Sequence, residues 1–244
     1  MTSKSKPLSN SKKLCTYPLI GEVSYIRKSG LKRVSLRVNA YGDVRVSMPP
    51  FISFKYAEEF MLSNGEWIIE KKGRSFLGKN LRDNDSIHTR YHTITLFQDS
   101  QSTGIRVIQS NNQARIHYPL TMAKNDPAVR EVLKKVVEHT YMKEAKDDLP
   151  LRTANLAAAH GFSFRRVSIS RATTRWGSCS PENNIRLSLH LMRLPDHLVD
   201  YVIIHELCHT VEKNHGINFW KLMNEHCNGH ARQLAREIKE YHAY

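Results

Sequence analysis

The feature that most restricts the fold of this chain is a nearly continuous apolar segment that carries two histidines and a glutamate. The segment LVDYVIIHELCH spans residues 198–209 and is apolar on most of its surface when wound as a helix. Such a pattern is typical of a helix buried inside a domain. Apolar residues four apart predict one continuous core-facing stripe: Val199, Ile203, Leu207 and Val211.

His205, Glu206 and His209 form an HExxH motif within this helix. Residues four apart lie on one helical face about 6 Å apart, so two imidazoles there can bind one zinc ion. Glu206 lies about 100° round the helix, where it can act as a general base toward a water molecule on the metal. If these three polar side chains were buried on the helix without partners, they would destabilise the fold by roughly several kcal/mol. A bound metal ion satisfies all three.

A zinc site of this kind needs a third protein ligand and keeps one position open. His215 follows the motif by six residues, so the helix must end after about residue 211 for the chain to turn back. Asn214 and Gly216 flank His215 and are the residues here most tolerant of left-handed backbone geometry. His215 is therefore the favoured third ligand, with Glu225 as the alternative.

A second group of polar residues stands in RATTRWGSC, just before a predicted strand at residues 185–191. Arg171, Arg175 and Trp176 are candidate substrate-binding residues, because guanidinium groups hold carboxylates, oxyanions or phosphates. The strand is the candidate edge to which an extended peptide adds. Gly177 is expected to take a conformation that other residues resist. Alternatively, the tryptophan packs in the core and the arginines lie on the surface.

Composition and periodicity predict an α+β chain in three parts. Residues 1–14 are polar and basic and predict a disordered tail, residues 15–122 predict a β-rich N-terminal half, and residues 123–244 predict the catalytic domain. Asp126 and Pro127 predict a helix start. A second helix of about residues 151–160 is expected to end at Gly161, and no internal repeat is visible.

Net charge, targeting signals and cysteine content bear on the partners and the cellular compartment of this protein. The formal net charge of +14 is compatible with a polyanionic partner such as a nucleotide or nucleic acid. The sequence shows neither a secretory signal nor an apolar run long enough to span a membrane, which favours the cytoplasm. Four cysteines without a CxxC pair are expected to be reduced thiols: Cys15, Cys179, Cys208 and Cys227.

Three segments together, RWGSCS, YVIIHELCH and NHGINFW, resemble the YgjP-like metal-dependent hydrolases. The N-terminal segments LKRVSLRVNAYGDVRVSMPP and GEWIIEKK are also similar to that family. The resemblance implies a zincin-like C-terminal catalytic domain, with zinc on His205, His209 and His215 and with Glu206 as the catalytic residue. Gly216 departs from the serine that usually follows the third histidine.

Three functions remain open at this point. The first is a zinc metallopeptidase in which Glu206 activates water for attack on a peptide bond. The second is a metal-dependent nucleotide phosphohydrolase or pyrophosphatase, favoured by the positive charge and by Arg171 and Arg175. The third is a nucleic-acid-associated module whose β-rich half stacks bases on aromatic side chains. The candidate stacking residues are Tyr25, Tyr41 and Tyr91.

Overall fold

The computed structural model describes residues 12–39, 41–74 and 86–241. Contacts divide the chain into two compact units, Met1–Asn84 and Asp85–Tyr244. The predicted boundary at residue 122 therefore lies inside the second unit, because the sheet that ends at Pro119 packs on the helix that follows it. Of the predicted tail, residues 12–14 lie in a strand, and the remainder lies outside the described residues.

The first unit is a four-stranded sheet with two helices. The strands are β1 (Lys12–Tyr17), β2 (Gly21–Arg27), β3 (Ser35–Val38) and β4 (Val44–Met48), in the order β1-β2-β4-β3. Helices α1 (Phe54–Ser63) and α2 (Gly65–Arg74) follow. Alternate strand residues point into one core, as the period-two pattern predicts. The core includes Val23, Tyr25, Val44, Val46, Met48, Ala57 and Met61.

The second unit begins with a sheet of the same topology. Its strands are β5 (Ser86–His88), β6 (Thr93–Asp99), β7 (Arg106–Ser110) and β8 (Gln113–Pro119), in the order β5-β6-β8-β7. In both four-stranded sheets two antiparallel hairpins join through a parallel central pair, β2 with β4 and β6 with β8. The repeat is one of strand order and direction, which dissimilar sequences can share.

A single long helix, α3 (Pro127–His160), follows this sheet. Asp126 caps its start by accepting a hydrogen bond from the Ala128 N–H, and Gly161 ends it in the left-handed conformation at φ 73°. The two helices predicted for this region are thus one, with Pro150 inside it. A proline costs a helix interior about 3 kcal/mol. Burial on both sides of it, at Leu149, Thr153 and Ala157, opposes that cost.

The remaining elements build a three-stranded sheet and the C-terminal helices. Strands β9 (Arg166–Ser170), β10 (Gly177–Cys179) and β11 (Asn184–Ser188) have the order β10-β11-β9. A 3-10 helix (Leu189–Arg193) leads into α4 (Asp196–Cys208), followed by α5 (Ile217–His226), α6 (Ala231–Glu237) and a short 3-10 helix (Ile238–Glu240). The α+β class is confirmed. Among the described residues, none of the helices combines the length and apolarity needed to cross a membrane.

Candidate metal centre

Helix α4 carries the HExxH motif and is buried on nearly all sides, as its composition predicts. Val199, Ile203 and Leu207 are fully buried on the predicted stripe. Val211 was expected to continue that stripe but is 62% exposed. The helix ends at Cys208, three residues earlier than the stripe requires, so Val211 no longer projects from the helical face.

The imidazoles of His205, His209 and His215 converge on one point. The Nε2 atom of His215 lies 3.0 Å from Nε2 of His205 and 3.1 Å from Nε2 of His209. Three nitrogens bound to one tetrahedral zinc ion at 2.0–2.1 Å are about 3.3 Å apart. Within the described residues this is the one group of three or more potential ligands close enough to share an ion. Glu225, the alternative ligand, is exposed and lies outside the group.

The turn that returns the chain to the helix uses ordinary backbone geometry. The Glu212 N–H donates to the Cys208 carbonyl at 2.8 Å, and the Gly216 N–H donates to the Asn214 carbonyl at 2.8 Å. Neither Asn214 nor Gly216 has a positive φ, and Gly216 has φ −73°. Their tolerance of left-handed geometry is not used, because two tight hydrogen-bonded turns reverse the chain without it.

Contacts around the three rings fix their orientation and protonation. Nδ1 of His209 lies 2.9 Å from the carbonyl oxygen of Glu212, which can only accept, so Nδ1 carries the proton and Nε2 keeps its lone pair. Burial lowers the pKa of His205 to about 3, with added repulsion from the other two rings, and burial also lowers the pKa of His209. Neutral imidazoles are the form that binds metal ions.

Phe219 packs against all three imidazoles. Its ring is fully buried, and its centroid lies 4.9 Å from His205, 4.5 Å from His209 and 4.7 Å from His215. No role for this residue follows from the sequence alone. In the sequence, only its position four residues after His215, at the start of α5, indicates that its side chain lies near the three histidines.

Glu206 is buried beside the edge of the three-stranded sheet. Its side chain packs against Gly177 in β10, where a Cβ atom would lie 2.6 Å from Oε1 and 2.7 Å from Cγ of Glu206. Burial raises the pKa of Glu206 to about 8, and the positive charge of Arg175 opposes that rise. Gly177 does not have a positive φ, so the predicted special conformation is wrong; this position requires glycine for space.

The predicted substrate-binding residues lie in the loop between β9 and β10. Arg171 and Arg175 are exposed and Trp176 is half-buried. Residues 185–191 do not form an edge strand: β11 is the central strand of its sheet, and the rest of the segment is a 3-10 helix. The edge strand beside Glu206 is β10, which pairs with β11 on one side.

Comparison with known proteins agrees with this geometry. The sequence model of the YgjP-like metallopeptidase domain matches residues 32–241. The chain belongs to the YgjP-like family. Membership implies a metal-dependent peptidase, and with it a metal cofactor and a peptide substrate. No curated protein and no solved structure significantly matches the chain.

The residues of this YgjP-like protein fit such a cofactor. Nε2 of His215 lies 3.0–3.1 Å from the other two Nε2 atoms, and hydrogen bonds within the triangle cannot pair all three nitrogens, whereas one cation satisfies all three. The Oε2 atom of Glu206 is buried and accepts no hydrogen bond from the described residues. The three histidines thus have the chemistry of a metal ligand set, and an unpartnered carboxylate oxygen is buried on the same helix.

Proposed function

We propose that this protein is a zinc-dependent peptidase in which His205, His209 and His215 hold the metal and Glu206 is the catalytic base. The convergence of the three imidazoles carries the proposal: Nε2 of His215 lies 3.0 Å and 3.1 Å from Nε2 of His205 and His209, and all three ligand atoms lie within 4.8 Å of one another. Three imidazole nitrogens leave a fourth tetrahedral position open, which is the arrangement of catalytic rather than structural zinc sites. Imidazole donors also suit zinc better than they suit calcium or magnesium.

The chain's own residues supply the proton transfers. A zinc ion held by the three histidines would polarise the scissile carbonyl and lower the pKa of a water molecule. Glu206 accepts the proton of the attacking water as its oxygen bonds to the carbonyl carbon. Glu206 then delivers that proton to the leaving nitrogen as the C–N bond breaks. A carboxyl group whose pKa burial raises toward neutrality suits both steps.

The edge strand β10 gives a peptide substrate a place to bind. Within the described residues β10 pairs only with β11, so its outer edge offers the backbone groups of Gly177–Cys179 to an extended chain. Peptides commonly bind by adding a strand to such an edge. A peptide bound there lies directly beside the carboxyl group that packs on Gly177.

Two other functions have less support. The nucleotide phosphohydrolase rests on net charge and two exposed arginines, and the family match favours peptides. The nucleic-acid module required exposed tyrosines in the β-rich half predicted at residues 15–122. Tyr25 is fully buried and Tyr41 is 4% exposed, so neither can stack a base; Tyr91 alone of the three is exposed, at 47%, and its hydroxyl donates to Asp148.

The decisive experiment compares the wild type with Glu206→Gln, His215→Ala and the control Glu225→Gln. Zinc-loaded proteins are quantified by elemental analysis and assayed on a denatured-proteome peptide library and on nucleoside triphosphates. We expect about one zinc ion per chain in all but His215→Ala, and peptide cleavage only by the wild type and the control. Hydrolysis of nucleotides alone, or zinc loss in Glu225→Gln rather than His215→Ala, would overturn the proposal.

A further inference from the structure

The loop between β9 and β10 is held near both ends by one buried residue, through its side chain and its backbone. Ser188 at the end of β11 donates its hydroxyl to the Ala172 carbonyl at 2.7 Å and its N–H to the Trp176 carbonyl at 2.8 Å. The residue is 1% exposed. Because the backbone is fixed at residues 172 and 176, the side chains of this loop start from defined backbone positions.

The side chains presented by this loop are polar and directed outward. Arg171, Thr173, Thr174 and Arg175 are all exposed. Across the described parts of the chain, neither arginine forms an ion pair or a side-chain hydrogen bond. Two guanidinium groups with unused donors, on a loop that is itself tied down, are free to bind an anion from outside.

This loop lies beside the candidate catalytic residue. Arg175 stands two residues before Gly177, which touches the carboxyl group of Glu206. Arg175 lies close enough to Glu206 for its charge to act on that carboxyl group. Lys213 donates to the side-chain oxygen of Asn183 and lies close enough to Cys179, the last residue of β10, for its charge to act there. Positively charged groups thus lie near both ends of β10.

The segment that carries this loop is poor in acidic residues. Between residues 163 and 193 the chain contains six arginines and one acidic residue. That residue, Glu182, accepts a hydrogen bond from Ser180 and lies near Lys213 and Arg165, so it does not neutralise the loop. An anionic group is therefore the complementary ligand.

From this arrangement we propose that Arg171 and Arg175 select peptide substrates that carry a carboxylate near the scissile bond. The inference rests on the proposed peptidase function and names its substrate class. Guanidinium binds carboxylate through two parallel N–H···O bonds, which adds orientation to attraction. A peptide paired with β10 would run past this loop, with the loop's arginines within reach of its side chains or of its terminus.

Testing the inference requires peptides that differ only in charge. A sequence cleaved by the zinc-loaded protein is resynthesised with Glu or Gln at each position flanking the scissile bond, and with a free or amidated C-terminus. The first pair tests an acidic side chain as the ligand, and the second tests the terminal carboxylate. The kcat/KM of each peptide is measured for the wild type, Arg171→Gln, Arg175→Gln and Arg175→Lys.

Arg186→Gln is the matched control. Arg186 is exposed in β11 and pairs with Ser178, so it lies on the sheet face opposite Gly177 and Glu206. We expect the wild type and this control to prefer the charged peptide by about tenfold or more, mostly through KM. Arg175→Gln should bring that ratio close to one, and Arg175→Lys should restore part of it.

The outcomes separate this inference from the function on which it rests. Cleavage without preference for acidic peptides, or equal loss of preference in Arg186→Gln, overturns the inference and leaves the peptidase intact. Equal loss of rate on both peptides in Arg175→Gln also overturns it, because the arginine would then act on Glu206 instead of substrate. Fluorescence anisotropy with zinc-loaded Glu206→Gln measures binding alone. Selective binding without wild-type cleavage of any peptide would overturn the peptidase and retain the loop's specificity.

Discussion

Gly177 packs against Glu206 so closely that no side chain can occupy its position without moving the carboxyl group. A Cβ atom there would lie 2.6 Å from Oε1, 2.7 Å from Cγ and 2.8 Å from Cδ of Glu206. Real carbon contacts are far longer, and the buried Glu206 has little room to retreat. The β10 backbone is held by its pairing with β11, with Gly177 opposite Leu187. The glycine therefore sets where the proposed catalytic base stands.

The substitution Gly177→Ala should remove activity without removing the metal. We expect overpacking to cost about 1–3 kcal/mol of stability. Displacement of Glu206 should lower kcat about 100-fold, because small errors in catalytic geometry are costly. Gly104→Ala is the control, since nothing lies within 4 Å of its added Cβ and its φ is not positive. Normal kcat in Gly177→Ala, or zinc content reduced below that of Gly104→Ala, would contradict this account.

Phe219 should increase the affinity for the metal ion in addition to stabilising the core. Its ring touches all three imidazoles, so Phe219→Leu leaves them less constrained and should weaken zinc binding about tenfold. Met223→Leu is the matched control, because Met223 is equally buried one turn further along α5. Competition with a chromogenic chelator measures both affinities, and urea unfolding of the zinc-free proteins measures the stability cost. Equal zinc affinities in the two variants would show that Phe219 is only a packing residue.

The sequence identifies the residues that meet at the site better than it identifies what surrounds them. The HExxH spacing and the position of His215 predict the cluster, because helical geometry fixes which side chains share a face. Gly177 comes from a distant strand and Phe219 from the helix that follows the turn, and both reach the site only through tertiary packing. Periodicity reports burial, not partners, so neither contact was predictable. The same reason explains the misplaced edge strand: order within a sheet depends on pairing between β9, β10 and β11.

Local signals also fail where longer contacts override them. Pro150 suggests a boundary within residues 127–160, yet the helix continues through it. Arg152 ties this part of α3 to α4, since Nε donates to Asp200 and Nη1 to Asp196, each at 2.6 Å. The domain boundary shifts for a similar reason, because packing between the second sheet and α3 is not visible in composition. Turn and cap residues such as Asp126 and Gly161 are predicted well because their effect is local.

Glu144 provides a stability test away from the metal. Its Oε1 accepts hydrogen bonds from the Thr89 hydroxyl, the Tyr91 N–H and Nδ1 of His92, and the residue is 1% exposed. Glu144→Ala leaves three donors unsatisfied and should cost about 3–5 kcal/mol, whereas Glu144→Gln keeps one acceptor and should cost less. Glu131→Ala on the same helix removes an exposed pair with Lys135 and should cost less than about 1 kcal/mol. Urea unfolding midpoints check the order, and similar midpoints for Glu144→Ala and Glu131→Ala would contradict it.

His190 should make the folded state sensitive to acid. The residue is 2% exposed, and burial, with repulsion from Arg193, lowers its pKa from 6.5 to about 4. As the pH falls through this window the unfolded chain gains a proton on this imidazole that the folded protein does not, so acidification favours unfolding. Between about pH 7 and pH 5 this linkage should remove about 2 kcal/mol of stability. Because metal binding to histidine nitrogens is itself pH-dependent, the unfolding free energies are measured by urea titration on chelator-stripped protein.

The comparison that isolates this effect uses variants that cannot titrate at residue 190. His190→Leu and His190→Asn should each lose about 2 kcal/mol less than the wild type between those pH values, whatever their stability at neutral pH. His139→Gln is the control for the loss of a histidine at an exposed position of α3. Parallel stability profiles for the wild type and both His190 variants would mean that the buried imidazole takes up its proton as easily in the folded protein as in the unfolded chain. The acid sensitivity would then belong to other groups, with His205 and His209 as the first to examine, because burial lowers the pKa of both.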